Sequence, residues 1–314
     1  MKITGTFLDE ISHDIPHQNW GRSEWASDFD RMHSIGIDTV ILIRCGYGRW
    51  MTYPSAVLEK QMQGYLPPVD LVDLFLELAE ERGMKLLLGT YDSGIYWHGG
   101  DAQRESDINR AVIEECWTRY GHRKAFAGWY LNQEVGRKQR NIIEIYRQIG
   151  NCCKEISGGL PVMISPFIDG VKALAVNDSR LRRNDMPVSL DQHQKEWYEI
   201  LAGIRDFVDI IAFQDGFCDY HELADFMAVN TELAAYYGME SWTNCESFDR
   251  DMPIKFLPIK WEKMLLKLKA AKAAGMAKVI TFEFSHFMSP NSCYAQAHHL
   301  FERYCEYFKL PLSH

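Results

Sequence analysis

The chain has 314 residues, 46% of them hydrophobic, and a formal net charge of −9. That is enough apolar material for one large core, and the acidic balance argues against nucleic acid or an anionic membrane as partner. No apolar run is long enough to span a membrane, and the eight cysteines include an adjacent pair, Cys152 and Cys153, but no Cys-x-x-Cys, so they read as free, mostly buried thiols in a reducing compartment.

The chain opens Met1-Lys2-Ile3-Thr4-Gly5-Thr6-Phe7, a strand-like stretch without the apolar core of a signal peptide, and a cytoplasmic protein is expected. The first strand is predicted at Ile3–Leu8. Ser23 then reads as the N-cap of a helix whose Trp25, Phe29 and Met32 form one apolar stripe. Strand 2, Thr39–Arg44, is almost continuously apolar, as in a parallel sheet buried on both faces. Leu71, Leu74, Phe75 and Leu78 mark the next helix, and strand 3 follows at Lys85–Thr90. Strand 4 is Phe126–Leu131, then a helix with Ile142, Ile145, Tyr146 and Ile149 leads to strand 5, Val162–Ser165. The irregular stretch from Asp169 to Asp191 reads as a long rim loop. Strand 6 is Ile210–Phe213 and strand 7 Met239–Thr243. A helix striped by Trp261, Leu265, Leu268 and Lys272 precedes strand 8, Val279–Phe282.

Eight strands at intervals of roughly 30 to 50 residues, alternating with helices, predict a (β/α)8 barrel (a TIM barrel). A glycine closes a helix ahead of a strand at Gly36, Gly83, Gly238 and Gly275, the same turn repeated. No Pro/Gly/Ser linker divides the chain, so residues 1–314 are expected to form one domain. A dinucleotide-binding open sheet would carry a glycine-rich turn after strand 1, whereas Leu8-Asp9-Glu10-Ile11-Ser12 has no glycine.

In such a barrel the chemistry stands just past the C-terminal strand ends. Those positions hold Asp9 and Glu10; Arg44, Tyr47 and Arg49; Tyr91 and Asp92; Asn132, Gln133 and Glu134; Ser165 and Asp169; Gln214 and Asp215; Trp242, Asn244 and Glu246; Glu283, Ser285 and His286. Carboxylates stand at nearly every strand end. Histidines do not cluster there, so a zinc site is not expected, and no strand ends in a lysine that could form a Schiff base. An oxygen-ligated magnesium or calcium ion is the remaining metal option, and no cofactor is called for. Glycoside hydrolysis needs one protonated and one ionised carboxyl group across the scissile bond, with aromatic faces for the sugar. Trp20, Tyr47, Trp50, Tyr53, Tyr91, Tyr96, Trp97, Phe217, Trp242 and Phe248 all fall at or after strand ends.

Strand 4 reads Gly128-Trp129-Tyr130-Leu131-Asn132-Gln133-Glu134, and strand 7 reads Trp242-Thr243-Asn244-Cys245-Glu246-Ser247-Phe248. This pattern resembles clan A glycosidases, (β/α)8 barrels with an acid/base Glu at the end of strand 4 and a nucleophile Glu at the end of strand 7. With Phe213-Gln214-Asp215-Gly216, the chain also resembles a family of uncharacterised bacterial barrel domains described as glycoside hydrolases by inference. The resemblance implies Glu134 as acid/base and Glu246 as nucleophile, or as base if configuration is inverted. One departure stands out: clan A has Asn directly before the strand 4 Glu, and here Gln133 intervenes. Because side chains alternate along a strand, Asn132 and Glu134 share a face and Gln133 takes the other.

The expected function is thus hydrolysis of an oligosaccharide or glycoside. Arg44, Tyr91, Asn132, Gln214, Asp215, Asn244, Glu283 and Glu10 are the candidates to bind hydroxyls, and Trp242 is the candidate stacking face. The competing structural roles are a rim ion pair of Glu246 with Arg49 or Arg250, a turn at Asp215-Gly216, and a salt bridge from Glu283 to Arg44. The rival functions are a non-catalytic carbohydrate-binding barrel and a metal-dependent sugar lyase or isomerase. Neither the sugar nor the oligomeric state is readable.

Overall fold

The computed structural model describes residues 1–139, 141–172, 187–250 and 256–311. Eight parallel strands close on themselves: β1 (Gly5–Leu8), β2 (Thr39–Leu42), β3 (Lys85–Gly89), β4 (Phe126–Leu131), β5 (Val162–Ile164), β6 (Ile210–Gln214), β7 (Glu240–Asn244) and β8 (Lys278–Thr281). Each pairs with its sequence neighbours, and Gly5 opposite Ile280 with Thr6 opposite Thr281 joins the last strand to the first. The predicted (β/α)8 barrel is the fold, and all eight strands lie where the apolar runs placed them, within two residues at each end.

Period-two alternation divides every strand between two cores. Phe7, Ile41, Ile43, Leu87, Tyr130, Met163, Ile210, Ala212, Trp242 and Ile280 point inward and fill the lumen. Their neighbours, among them Leu8, Val40, Leu42, Leu131, Ile211, Phe213 and Val279, pack outward with the helices. The four glycines expected after helices stand at positive φ, from +63° at Gly83 to +92° at Gly36, the left-handed position that ends a helix without a Cβ clash.

Three details differ from expectation. Helix α1 (Arg22–Ser34) starts one residue before Ser23, with Gly21 as the cap. Glu24, in the first turn, reaches back so that its Oε2 accepts from the Gly21 amide at 3.1 Å, which takes the place of a capping hydroxyl. The stripe on the helix Trp261–Ala273 is rotated: its buried residues are Trp261, Met264, Lys267, Leu268 and Ala271, while Leu265 is only partly buried and Lys272 is exposed. Of the expected rim loop 169–191, residues 173–186 lie outside the described residues, and the helix Leu190–Ile204 already begins before its predicted end.

All eight cysteines are free, seven of them buried and Cys293 exposed. A thiol reagent should therefore react rapidly with one equivalent per native chain and with the other seven only on unfolding; fast reaction of three or more would contradict this packing.

Candidate active site

The alternation that fills the lumen continues past the strand ends and selects which polar residues look into the mouth. On β4, Tyr130 is inward, so Asn132 and Glu134 are inward as well; Gln133 turns out and donates to the Tyr91 carbonyl and Glu105 Oε1, each at 3.3 Å. On β7, Trp242, Asn244 and Glu246 share the inner side, and Cys245 packs outward on Met264. A cavity of about 290 Å³ opens over the lumen. Of the residues predicted for the site, Arg44, Asn132, Glu134, Gln214 and Glu246 line it. Asp9, Asp92, Tyr47, Trp97, Phe217 and Phe248 join them, as do Ser12, His13, His98, Phe167, Phe256 and Arg250, which the strand-end reading did not pick out.

The two central carboxylates live in opposite surroundings. Glu134 is partly open to the cavity and its Oε1 accepts from the Tyr130 hydroxyl at 2.8 Å. The surrounding protein pushes its pKa above the usual carboxylate range; Arg44, Tyr130 and Gln214 oppose that shift, and Asp9 adds to it. Glu246 is 2% exposed and is held by two parallel bonds, Arg250 Nε to Oε2 at 2.9 Å and Nη2 to Oε1 at 2.7 Å. Such bidentate pairs are the strong form of the carboxylate–guanidinium contact. The Arg250 guanidinium carbon also lies 4.4, 4.9 and 5.7 Å from the ring centres of Phe217, Phe248 and Phe256. Burial works against its charge, but Glu246, Asp215 and Glu134 more than offset this and hold the pKa above its ordinary value. Gly216 makes the room: a Cβ there would stand 2.0 Å from Glu246 Oε2 and 2.4 Å from Arg250 Nε. The expected rim pair of Glu246 is therefore with Arg250.

Behind Glu246 sits a buried frame. Asp215 follows the inward Gln214 and so turns outward, fully buried, where Lys267 Nζ donates to its Oδ1 at 2.8 Å. The same ammonium donates to the Glu246 carbonyl at 3.0 Å, and the Glu246 amide donates to Asp215 Oδ1 at 3.1 Å. Burial raises the Asp215 pKa against the pull of Lys267. Lys267 was missed in a lysine-rich helix, although it falls on the face of Trp261, Met264, Leu268 and Ala271.

Other predicted site residues lie off the cavity. Glu10 and Glu283 occupy outward positions after Asp9 and Phe282, and the chain turns into the short helix Phe284–Phe287 with Glu283 as its cap, accepting from the His286 amide at 2.8 Å. Glu283 also contacts the His286 ring and not Arg44; His286 Nε2 lies 2.5 Å from the Pro16 carbonyl and 3.6 Å from Glu10 Oε1. Tyr91 is buried and donates its hydroxyl to the Gly48 carbonyl at 2.7 Å. Trp242 points inward but low: it packs in the lumen core, its Nε1 donates at 2.9 Å to Oε2 of the exposed Glu240 at the start of the strand, and it does not line the cavity, so it offers no stacking face. Asn244 lies inward below Glu246, 2% exposed. Asp215, Glu10, Glu283, Tyr91, Trp242 and Asn244 thus form the walls and floor behind the cavity surface. Among the described residues, no group of three or more His, Cys, Asp or Glu could hold a metal ion, and no helix is long and apolar enough to cross a membrane.

The family model of DUF4434, a domain of unknown function, matches residues 3–294. The chain belongs to that family. Among solved structures, this DUF4434 chain is 57% identical to a Bacteroides thetaiotaomicron VPI-5482 protein described as a "putative alpha-L-fucosidase", over 99% of this chain and 94% of that one, with a TM-score of 0.93. It also shares its fold with an endo-1,4-beta-D-mannanase from Thermotoga petrophila RKU-1 (11% identity, 90% and 88% of the two chains, TM-score 0.60) and with the intracellular xylanase TsXylA from Thermoanaerobacterium saccharolyticum JW/SL-YS485 (11%, 88% and 84%, 0.53). No curated protein matches.

Lys267→Met should cost about 3–5 kcal/mol in chemical denaturation, because it strands a buried carboxylate; a loss under about 1 kcal/mol would sink the assignment. Burial raises Glu10 to about 8, and His286 reaches about 9 because Glu283 and Glu10 outweigh the opposing effect of burial. Both groups bind protons more tightly in the folded chain, so the stabilisation is complete below their ordinary values of 4.5 and 6.5 and is lost as pH rises through 8 and 9. The denaturation midpoint should accordingly fall between about pH 6.5 and 9, and a midpoint that rises over that range would refute the cluster.

Proposed function

We propose that this DUF4434 barrel is a glycoside hydrolase in which Glu134 is the general acid/base and Glu246 the ionised partner. The observation that carries the reading is the contrast between two carboxylates on one cavity. Burial raises the pKa of Glu134, the direction a general acid needs, while Glu246 accepts two parallel bonds from the Arg250 guanidinium. Each Glu246 oxygen accepts one bond from Arg250 and retains a lone pair, which would attack the anomeric carbon in a retaining mechanism or activate a water in an inverting one. Arg44, Asn132 and Gln214 would hold ring hydroxyls.

The apolar wall supports a more specific form of the reading. Phe167, Phe217, Phe248, Phe256 and Phe282 bring rings without hydroxyls to the cavity, which suits a sugar with an apolar edge. The methyl group of a fucoside, the substrate class named for the 57% identical relative, has that character.

Glu134→Gln tests the assignment. On a panel of aryl glycosides including the fucoside, turnover should fall by about 10²–10⁴-fold with sugar binding retained. A wild type that binds sugar but never turns it over would instead mark a carbohydrate-binding barrel, and activity abolished by chelation would mark the metal-dependent alternative.

A further inference from the structure

Resting on that hydrolase reading, we infer that Asp9 and Arg44 form a paired recognition arm for adjacent hydroxyls of a neutral sugar ring. Asp9 is 1% exposed, stands at the inward position two residues after the lumen residue Phe7, and lines the cavity. Its Oδ1 accepts from the amides of Ile11 at 3.2 Å and Ser12 at 3.0 Å, which fixes the plane of the carboxylate. Its Oδ2 is buried with no partner. Arg44 lines the same cavity, with Nη1 donating to Ser12 Oγ at 2.7 Å and Nε buried and unpartnered.

Buried charges of opposite sign on one cavity are ordinarily joined, since an unpaired charge out of water is costly. Here Asp9 is the strongest carboxylate acting on Arg44, yet among the described residues the two form no ion pair. Both are tied to the same short loop, Asp9 through the Ser12 amide and Arg44 through the Ser12 hydroxyl, so neither swings to meet the other. That leaves an unmet acceptor on Asp9 and an unmet donor on Arg44, two residues lining one cavity. A hydroxyl both donates and accepts, so two neighbouring ring hydroxyls, one donating to Asp9 Oδ2 and one accepting from Arg44, complete both charges.

The same cavity selects against an anionic ring. Among the described lining residues, Asp9, Asp14, Asp92 and the two central glutamates face only Arg44 and Arg250 as cations. Arg250 is already occupied by Glu246, and Arg44 already balances Asp9, Asp92 and Glu134. Among the described lining residues, a uronate would add a negative charge where carboxylates already outnumber arginines, whereas a neutral sugar adds none.

Titration calorimetry of the full chain with L-fucose, D-galactose, D-xylose and D-mannose, against D-glucuronate and D-galacturonate, decides the point. At least one neutral sugar should bind, and more tightly than either uronate. Asp9→Asn keeps the Oδ1 acceptor that orders the loop and should weaken that sugar about tenfold or more with the thermal midpoint retained; Arg44→Lys, which keeps the charge but loses the planar fork, should weaken it similarly. Preferred binding of a uronate, absence of binding by all four neutral sugars, or unchanged affinity in a folded Asp9→Asn would overturn the inference. The hydrolase reading fails separately, through turnover: a protein that binds neutral sugars through Asp9 yet hydrolyses no glycoside keeps this subsite and loses the enzyme.

Discussion

Closing eight parallel strands into a barrel leaves each side chain only two places to go, and everything at the mouth follows from that choice. A residue at even spacing from a lumen residue looks into the cavity; its neighbour looks into the layer between strands and helices. Asp9 follows Phe7 by two, Gln214 follows Ala212, Glu134 follows Tyr130 by four and Glu246 follows Trp242 by four. All four line the cavity. Glu10, Asp215 and Glu283 are each one residue out of step, and each is buried behind it. A one-residue slip would exchange the two sets, so the register that packs the lumen also assigns the acids their work.

The acids that turn outward are not idle. Each meets a cation brought by a helix: Lys267 for Asp215, His286 for Glu283 and Glu10. Buried pairs of this kind add little net stability over apolar packing, but they are directional. Lys267 grips the Glu246 main chain from below, and His286 ties the loop after β1 through the Pro16 carbonyl. Ser12, His13, Asp14 and Ile15 of that loop line the cavity. The frame therefore fixes two of the walls on which the candidate chemistry depends, at positions that a strand-end reading takes for ligand contacts.

Much of this was legible in the chain itself. Apolar runs located every strand, and glycines located the turns, because both signals are local. At strand 4 parity holds, and Asn132, Gln133 and Glu134 face as it requires. The same rule, carried to β1, β6 and β8, would have removed Glu10, Asp215 and Glu283 from the ligand candidates and promoted Asp9. Depth is harder to read: Trp242 and Asn244 have the right parity but lie too low. Arg250, Phe167 and Phe256 come from loops whose course is set by packing between distant segments, and no local spacing announces them. Lys267 lay between these cases, visible in helical spacing but hidden by its type, since a lysine is rarely buried without a partner and the partner is 52 residues away.

The residue inserted before Glu134 changes more than spacing. With Gln133 between them, Asn132 sits a full strand repeat below Glu134, and its Nδ2 is committed to the Thr90 carbonyl at 2.5 Å. Its Oδ1 is buried and unpartnered, so Asn132 brings an unmet acceptor to the cavity lining. Arg44 lines the same cavity with an unpartnered Nε, and it is also the main charge opposing the raised pKa of Glu134. One guanidinium thereby belongs both to the cavity lining and to the electrostatics of Glu134. Glu246 meets a different arginine: Arg250 packs against three phenylalanine rings and bonds to both carboxylate oxygens. The asymmetry between the two carboxylates is therefore built into their arginines, Arg250 bonded to both oxygens of Glu246 and Arg44 acting on Glu134 through its charge.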